Sequence, residues 1–93
     1  MGMNAQLKFL KCISDETRLE ILHLLKTGER CVYEIVNETK LEQSLISHHL
    51  REMRKCKIVK TRREGKKVIY RLANDSIAKL LDDVARLSRK FCD

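Results

Sequence analysis

Polar side chains that can donate and accept hydrogen bonds recur along residues 43–51. Gln43, Ser44, Ser47, His48 and Arg51 fall at i, i+1, i+4, i+5 and i+8, which places them on one face of an α-helix. Amides and hydroxyls add little to the stability of an exposed helix, where Glu, Lys or Ala would serve better. They do match the donors and acceptors that base pairs present in the major groove. We call these five residues the recognition face. They favour a helix that contacts base pairs over an ordinary surface helix.

Basic side chains are concentrated at the end of this helix and beyond it. Residues 51–71 hold ten Lys or Arg residues against two Glu residues, so this segment carries +8 in a chain whose formal net charge is +7. Such a localised charge is typical of a surface that binds a polyanion. The alternative is a basic run that only keeps the surface solvated, which is the commoner role of charge runs.

Two β-rich runs within that basic segment predict a hairpin. Residues 58–63 and 67–72 are rich in Val, Ile, Thr and Tyr and are joined by Glu64-Gly65-Lys66. The tip of the hairpin carries four cations, which are Arg62, Arg63, Lys66 and Lys67. Because these charges repel one another, we expect a wing that lies along DNA phosphates.

The rest of the chain predicts helices that position these two features. Apolar spacing indicates a short helix around residues 7–13, a second one from the Ser14-Asp15 cap to Gly28, and a third over about residues 32–39. The fourth, over about residues 43–55, carries the recognition face. We therefore expect one mainly α domain over residues 1–93, of the winged helix-turn-helix type, with a two-stranded wing and a C-terminal helix.

The last predicted helix begins near Asn74-Asp75 and carries a long apolar stripe of Ile77, Leu80, Leu81, Val84, Leu87 and Phe91. The first helix also has more apolar surface than a domain of 93 residues can cover. We expect a homodimer through the terminal helices, whose symmetry would match a palindromic DNA site.

Several classes of protein are disfavoured by the sequence. No apolar run approaches the roughly 18 residues that span a bilayer, and no secretion signal is evident, so we expect a cytoplasmic protein that binds no membrane. No spacing of Ser, His, Cys or acidic residues suggests a catalytic site, so we do not expect an enzyme. A non-specific or architectural nucleic-acid-binding protein remains the alternative to a sequence-specific regulator.

Three segments together resemble the ArsR/SmtB family of winged-helix repressors. They are SDETRLEIL at residues 14–22, QSLISHHL at residues 43–50 and RREGKKVIY at residues 62–70, and the similarity extends over about residues 7–91. Members of that family are homodimers that repress operons and release DNA when a metal ion, a metalloid or a thiol-reactive species binds. The resemblance implies that Gln43, Ser44, Ser47 and His48 face the bases and that the wing lies by the phosphates.

The residues that bind effectors in that family are present only in part. Its metalloid sensors carry Cys-Val-Cys at the start of the third helix, where this chain has Cys31-Val32-Tyr33. Its zinc-type sites use Asp and His on the last helix, which here offers Asp82 and Asp83 but no His. We expect no required cofactor, and a metal ion as effector stays open.

A third arrangement in the family takes thiolates from the end of the recognition helix and from the C-terminal region. Cys56, Glu52 and Cys92 stand at or near those positions, and with Cys31 they are the candidate metal ligands. A redox switch through Cys12 and Cys92 is a further alternative. The default expectation for four widely spaced cysteines in the cytosol is reduced and passive thiols.

The turn before the fourth helix departs from the family pattern. It reads Thr39-Lys40-Leu41-Glu42, without the usual Gly in the turn and the usual Ser or Thr cap. We therefore expect Lys40 to adopt a left-handed conformation and Glu42 to cap the helix, at a cost of about 1 kcal/mol each.

Overall fold

The computed structural model describes residues 2–92 and is built from five helices and three short strands. In chain order the elements are α1 (Met3–Ile13), α2 (Glu16–Lys26), β1 (Arg30–Cys31), α3 (Val32–Thr39), α4 (Gln43–Lys55), β2 (Val59–Glu64), β3 (Lys67–Leu72) and α5 (Asp75–Phe91). The mainly α class and the hairpin are as predicted. None of the helices within residues 2–92 is both long and apolar enough to cross a membrane.

Side-chain caps fix the first turns of two helices. The Asp15 carboxylate accepts from the backbone N–H of Arg18 at 3.0 Å at the start of α2. The Asn74 side-chain oxygen accepts from the backbone N–H of Ser76 at 2.8 Å at the start of α5. Each oxygen pairs a backbone donor that the helix itself cannot satisfy, so both predicted helix starts are confirmed.

The sheet has three strands rather than the two that the sequence predicts. It is antiparallel, in the order β1-β3-β2, and Cys31 in β1 pairs with Ile69 in β3. The hairpin of β2 and β3, which we call the wing, closes after the Glu64–Lys67 pair through a two-residue turn. Gly65 has φ 63° in that turn, a conformation that glycine adopts without steric cost. We missed β1 because a strand of two residues has no recognisable periodicity.

One apolar cluster connects all five helices and the base of the wing. Its fully buried members include Ile21 and Leu22 from α2, Ile35 from α3, and Leu81 from α5. From α4 it takes the side chains opposite the recognition face. The core therefore fixes the orientation of α4 about its own axis.

The terminal helices bury only a small part of their apolar side chains. In α1 the buried residues are Cys12 and Ile13, and in α5 they are Ile77 and Leu81. The large apolar side chains left exposed on these two helices are Met3, Leu7, Phe9, Leu10, Val84, Leu87 and Phe91. These exposed side chains agree with the expected surplus of apolar surface on the first and last helices.

Left-handed residues stand on both sides of α4. Lys40, at the end of α3, has φ 64° and ψ 19°, as predicted. Glu42 does stand at the N-cap position of α4, but its side chain makes no capping hydrogen bond, which differs from the prediction. The Glu42 carboxylate is exposed, so water can hydrate it, and the missing bond leaves no buried carboxylate oxygen without a partner.

The C-terminal end of α4 is closed by a Schellman motif, which the sequence analysis missed. The N–H of Ile58 donates to the Met53 carbonyl at 3.2 Å, and the N–H of Lys57 donates to the Arg54 carbonyl at 3.0 Å. Lys57 takes the left-handed position with φ 66°, where glycine is usual. The side chains of Met53 and Ile58 are both buried, which supplies the apolar contact that accompanies this motif.

Two of the four cysteines are joined, which corrects two expectations. Cys12 at the end of α1 and Cys56 at the C-cap of α4 form a disulfide with a Cα–Cα distance of 6.6 Å. The alternative of a redox pair formed by Cys12 and Cys92 does not agree with the structure, because the last turn of α1 packs against the end of α4 and Cys12 is bonded to Cys56. The default of four passive thiols is also wrong for these two residues, whereas Cys31 and Cys92 are free.

Replacement of Lys40 by glycine should stabilise the fold. A non-glycine residue in the left-handed region costs about 1 kcal/mol, and the greater freedom of glycine in the unfolded chain offsets part of the gain. We expect Lys40→Gly to raise the free energy of unfolding in urea by about 0.5 kcal/mol. The matched control, Lys79→Gly, lies at an exposed right-handed position inside α5 and should lower it by about 1 kcal/mol. Equal losses in both variants would contradict this account of the turn.

Candidate nucleic-acid interface

The recognition face lies on the open side of α4. Gln43, Ser44, His48 and Arg51 are exposed and Ser47 is half-buried. At about 100° per residue, these five side chains span a sector of about 140°. The opposite side of the helix is closed by Ile46, Leu50 and Met53, each 0% exposed. The polar side chains of α4 therefore lie where a second molecule can reach them.

Two details of α4 differ from the expectation. Leu45, whose apolar side chain predicts a core position, is 37% exposed, because it lies at the edge of the buried sector rather than inside it. Arg54 and Lys55 are also exposed and fall within the angular sector of the recognition face, one to two turns further along the helix. They entered the sequence analysis only through the charge of residues 51–71.

His49 is the polar residue on the buried side of α4, and it is 9% exposed. Its Nδ1 accepts a hydrogen bond from Arg18 Nε at 3.0 Å. Arg18 Nη1 donates in turn to the carbonyl oxygen of Cys12 at 3.1 Å. One guanidinium therefore links the middle of α4 to α2 and to the last turn of α1. His49 thus bonds within the domain, whereas the neighbouring His48 is exposed.

The hydrogen bond from Arg18 fixes the protonation state of His49. Arginine can only donate, so Nδ1 must carry a lone pair and the imidazole is neutral, with its proton on Nε2. Nε2 lies 3.8 Å from the Asp15 carboxylate, which is too far for a hydrogen bond. Burial lowers the pKa of His49, with help from the charges of Arg18 and His48, while Asp15 opposes that shift.

The four cations at the wing tip differ in their surroundings. Arg62 donates to Glu29 Oε1 at 2.6 Å and to Glu64 Oε2 at 2.8 Å, and the hydrogen bond from Arg62 lowers the pKa of Glu29. Arg63, Lys66 and Lys67 are exposed, and within residues 2–92 they make no ion pair. The positive charge of the tip is therefore free on three side chains and largely compensated on Arg62.

The pairing of Arg62 also anchors the wing. Glu29 immediately precedes β1, and the next residue, Arg30, donates from Nε to Glu38 Oε2 of α3 at 2.7 Å. Ion pairs between exposed side chains contribute little stability one by one. Because Glu29 and Arg30 are consecutive, their two ion pairs connect the wing to α3 through β1. These pairs limit how far the hairpin can move.

A basic recess between α4 and the wing was not among the predicted site residues. It has a volume of about 340 Å³ and is lined by Val59, Thr61 and the cations Arg54, Lys57, Lys60 and Arg71. No acidic side chain lines it. All four cations belong to the segment with a charge of +8, so the charge count was the signal that could have indicated them.

The candidate metal ligands do not come together: Glu52 and Cys56 belong to α4, and Cys31 and Cys92 lie on other elements. Cys31 is buried at the start of α3, Cys56 is bonded to Cys12, and Cys92 is exposed at the end of α5. Glu52 forms an ion pair with Lys55 at 3.2 Å. Among residues 2–92, no three His, Cys, Asp or Glu side chains come close enough together to hold a metal ion.

Comparison with known proteins gives a consistent picture. The family model "Bacterial regulatory protein, arsR family" matches residues 15–61. An uncharacterized HTH-type transcriptional regulator from Methanocaldococcus jannaschii is 42% identical over 81 residues, which cover 83% of this chain and 91% of that protein. A transcriptional repressor SmtB homolog from Synechocystis is 35% identical over 78 residues, and this chain spans 59% of its length.

A solved structure from Mycobacterium bovis has a very similar fold. It is the homodimeric winged helix-turn-helix DNA-binding domain of a possible ArsR-family transcriptional regulator, determined by NMR. The TM-score is 0.89 at 28% identity, over 98% of this chain and 84% of the other. The similarity therefore includes the terminal helices as well as α4 and the wing.

Protonation of His49 should destabilise the fold in mild acid. Its pKa in the folded state lies below the value of about 6.5 in the unfolded chain, so the unfolded chain binds more protons between those two values. The contribution of the neutral imidazole is complete above about pH 6.5 and is lost as the pH falls through the folded pKa. The free energy of unfolding in urea should decrease in that window, and less steeply in His49→Gln.

The exposed neighbour provides the control for that measurement. His48→Gln should keep most of the pH dependence of the wild type, because burial is the main cause that lowers the pKa of His49 and the charge of the exposed His48 is the smallest one. If the wild type and His49→Gln lose stability in parallel as the pH falls, His49 is not the titrating group.

Proposed function

The chain belongs to the arsR family of bacterial regulatory proteins, and we propose that it is a homodimeric repressor that binds a palindromic operator. The observation that carries the proposal is the recognition face of α4, which is polar and exposed while the opposite side is fully buried. The protein is a winged helix-turn-helix transcriptional regulator and not an enzyme. Its partners are double-stranded DNA and a second copy of itself.

In this proposal α4 enters the major groove. Gln43, Ser44, Ser47 and His48 contact the edges of base pairs, because amides, hydroxyls and imidazoles match the pattern of donors and acceptors there. Arg51 lies at the C-terminal end of the face, where it contacts bases or the adjacent phosphate. The N-terminal half of a recognition helix makes most base contacts in this class of motif, which agrees with the position of Gln43 and Ser44.

We assign the wing and the basic recess to the DNA backbone. Arg63, Lys66 and Lys67 have uncompensated charge and can displace counterions from phosphates. The recess beside Arg54 and Lys60 extends this positive surface from α4 to the wing. Arg62 has a different part in the proposal, because its bonds to Glu29 and Glu64 make it a support of the wing.

The homodimer forms through α1 and α5 in this proposal. Both helices expose large apolar side chains, and a patch of this kind on a small protein marks an interface. The M. bovis relative, whose structure is described as homodimeric, matches this chain over both helices. A two-fold axis between such copies presents two α4 helices to two half-sites, which is why we expect a palindrome.

A non-specific DNA-binding protein is the second candidate. The charge of the wing and the recess alone would support it, since phosphate contacts carry no sequence information. It leaves the polar composition of the recognition face without a role. We also propose that the protein acts in the cytoplasm, where chromosomal DNA lies, and that it needs no cofactor to bind DNA.

Variants of the recognition face test sequence-specific binding. Gln43→Ala and Ser47→Ala should each weaken binding to a selected palindrome by about 1–3 kcal/mol and leave binding to random-sequence DNA almost unchanged, because they remove base contacts only. Fluorescence anisotropy with both DNA fragments measures the two affinities. Ser76→Ala, at the exposed start of α5, is the matched control and should change neither. Equal losses on both DNA fragments would favour the non-specific candidate.

Variants of the wing test the difference between its two arginines. Arg63→Ala should weaken binding to palindromic and random DNA alike and reduce the slope of log K against log salt by about 1. Arg62→Ala should change that slope much less, because Glu29 and Glu64 already compensate its charge. A loss of slope in Arg62→Ala as large as in Arg63→Ala would place Arg62 on a phosphate instead.

A further inference from the structure

The Cys12–Cys56 disulfide joins α1, which we assign to the dimer interface, to the end of α4, which we assign to DNA recognition. Cys12 lies in the last turn of α1, which carries exposed apolar side chains, and Cys56 is the C-cap of α4, which carries the recognition face. The two residues are 44 positions apart in the sequence. The bond therefore connects the proposed dimer interface directly to the proposed DNA-reading helix.

Few other contacts hold α1 in place within one protomer. Its buried residues are Cys12 and Ile13 alone, while Leu7, Phe9 and Leu10 are exposed. Besides the disulfide and the packing of Cys12 and Ile13 in the core, a polar link joins α1 to α4 through the Cys12 carbonyl, which Arg18 connects to His49. The position of α1 relative to α4 thus depends on Cys12 through both its side chain and its backbone.

The end of α4 is also sensitive to what happens at Cys56. This residue lies between Lys55 at the end of the helix and Lys57, which holds a left-handed conformation that costs a non-glycine residue about 1 kcal/mol. The Schellman motif and the disulfide therefore fix the same turn. If either the Schellman motif or the disulfide is lost, the other alone holds the strained turn.

We propose that Cys12 and Cys56 are a reversible redox site at which a hydroperoxide or a dithiol reductant changes the affinity for DNA. The inference rests on the proposed function, since the output is binding to the operator. The disulfide form is the high-affinity form, because it fixes α1 against α4 and so sets the spacing of the two α4 helices in the dimer. Reduction frees α1 and lowers the affinity.

The surroundings of Cys56 suit this chemistry. A cavity of about 290 Å³ between α1 and the end of α4 is lined by Cys56, Ala5, Phe9 and the three lysines Lys8, Lys55 and Lys57. The cavity gives a small reagent access to Cys56, whereas Cys12 is 3% exposed. Lys8 and Lys57, which make no ion pair within residues 2–92, favour negative charge on the Cys56 sulfur, and the thiolate is the reactive form of cysteine.

Oxidation and reduction both begin at Cys56. In oxidation, the Cys56 thiolate attacks a hydroperoxide oxygen, the O–O bond breaks, and an alcohol or water leaves. The Cys12 thiolate then attacks the resulting sulfenic acid, the S–S bond forms, and the hydroxide leaves as water after taking a proton. Two thiols and one hydroperoxide thus give one disulfide, one alcohol and one water.

In reduction, a dithiol attacks the Cys56 sulfur, releases the Cys12 thiolate and leaves as a cyclic disulfide.

The test compares the two redox states of the wild-type protein on two DNA fragments. Palindromic fragments are selected from a random pool by the oxidised and by the reduced protein, and the Kd for a selected fragment and for random DNA is measured by fluorescence anisotropy. Hydrogen peroxide and dithiothreitol set the redox state. Thiol titration after denaturation should give two free thiols in the oxidised protein, from Cys31 and Cys92, and four in the reduced protein.

We expect dithiothreitol to raise the Kd for the palindrome about tenfold, within the usual range of coupling between two sites, and peroxide to restore it. Cys56→Ser should bind like the reduced wild type and ignore both reagents. Cys92→Ser, which removes an exposed free thiol, should respond like the wild type. If Cys56→Ser does not fold, the wild-type titration alone decides.

Three results would overturn the proposal, and they are distinguishable. Equal Kd values for the palindrome with two and with four free thiols mean that the bond has no regulatory role. A bond that dithiothreitol leaves intact in the folded protein makes the disulfide purely structural. If neither state prefers a palindrome over random DNA, the proposed function itself is wrong, and its redox control falls with it.

Discussion

Complete burial of one side of α4 is the constraint on which the rest of the structure depends. Ile46, Leu50 and Met53 are 0% exposed, and burial of each such side chain stabilises the fold by about 1.5–3 kcal/mol. A rotation of the helix by one residue, about 100°, would expose Ile46 and Met53 and turn Ser47 and Arg51 towards the core. The hydrophobic core therefore determines which side chains of α4 are free to contact another molecule, although none of the core residues makes that contact.

The same constraint explains the polar network beneath α4. A buried imidazole must have a partner, since an unsatisfied polar group in the core costs about 1–3 kcal/mol. Arg18 meets that need for His49 through Nε and donates from Nη1 to the carbonyl of Cys12. The link that stabilises the helix thus also reaches α1. It makes the position of the recognition face dependent on the helix that we assign to the dimer interface.

Charge in the wing is divided between structure and binding. Arg62 forms ion pairs with both Glu64 of the wing and Glu29 at its base. The other three cations of the tip therefore make no ion pair within residues 2–92. Uniform repulsion would disorder a hairpin tip that carried four free cations. Pairing one of them holds the hairpin near the body of the protein and keeps the other three available to phosphates.

The sequence by itself determined the features that depend on near neighbours along the chain. The helix caps at Asp15 and Asn74, the five-residue recognition face, the hairpin and the left-handed Lys40 all follow from spacings of a few residues, so local patterns suffice for them. Tertiary structure alone decided the pairing of β1 with β3, the bond between Cys12 and Cys56, and the ion pair between Arg62 and Glu29. These contacts join residues that are more than 30 positions apart, and their formation depends on how packed elements approach each other in space.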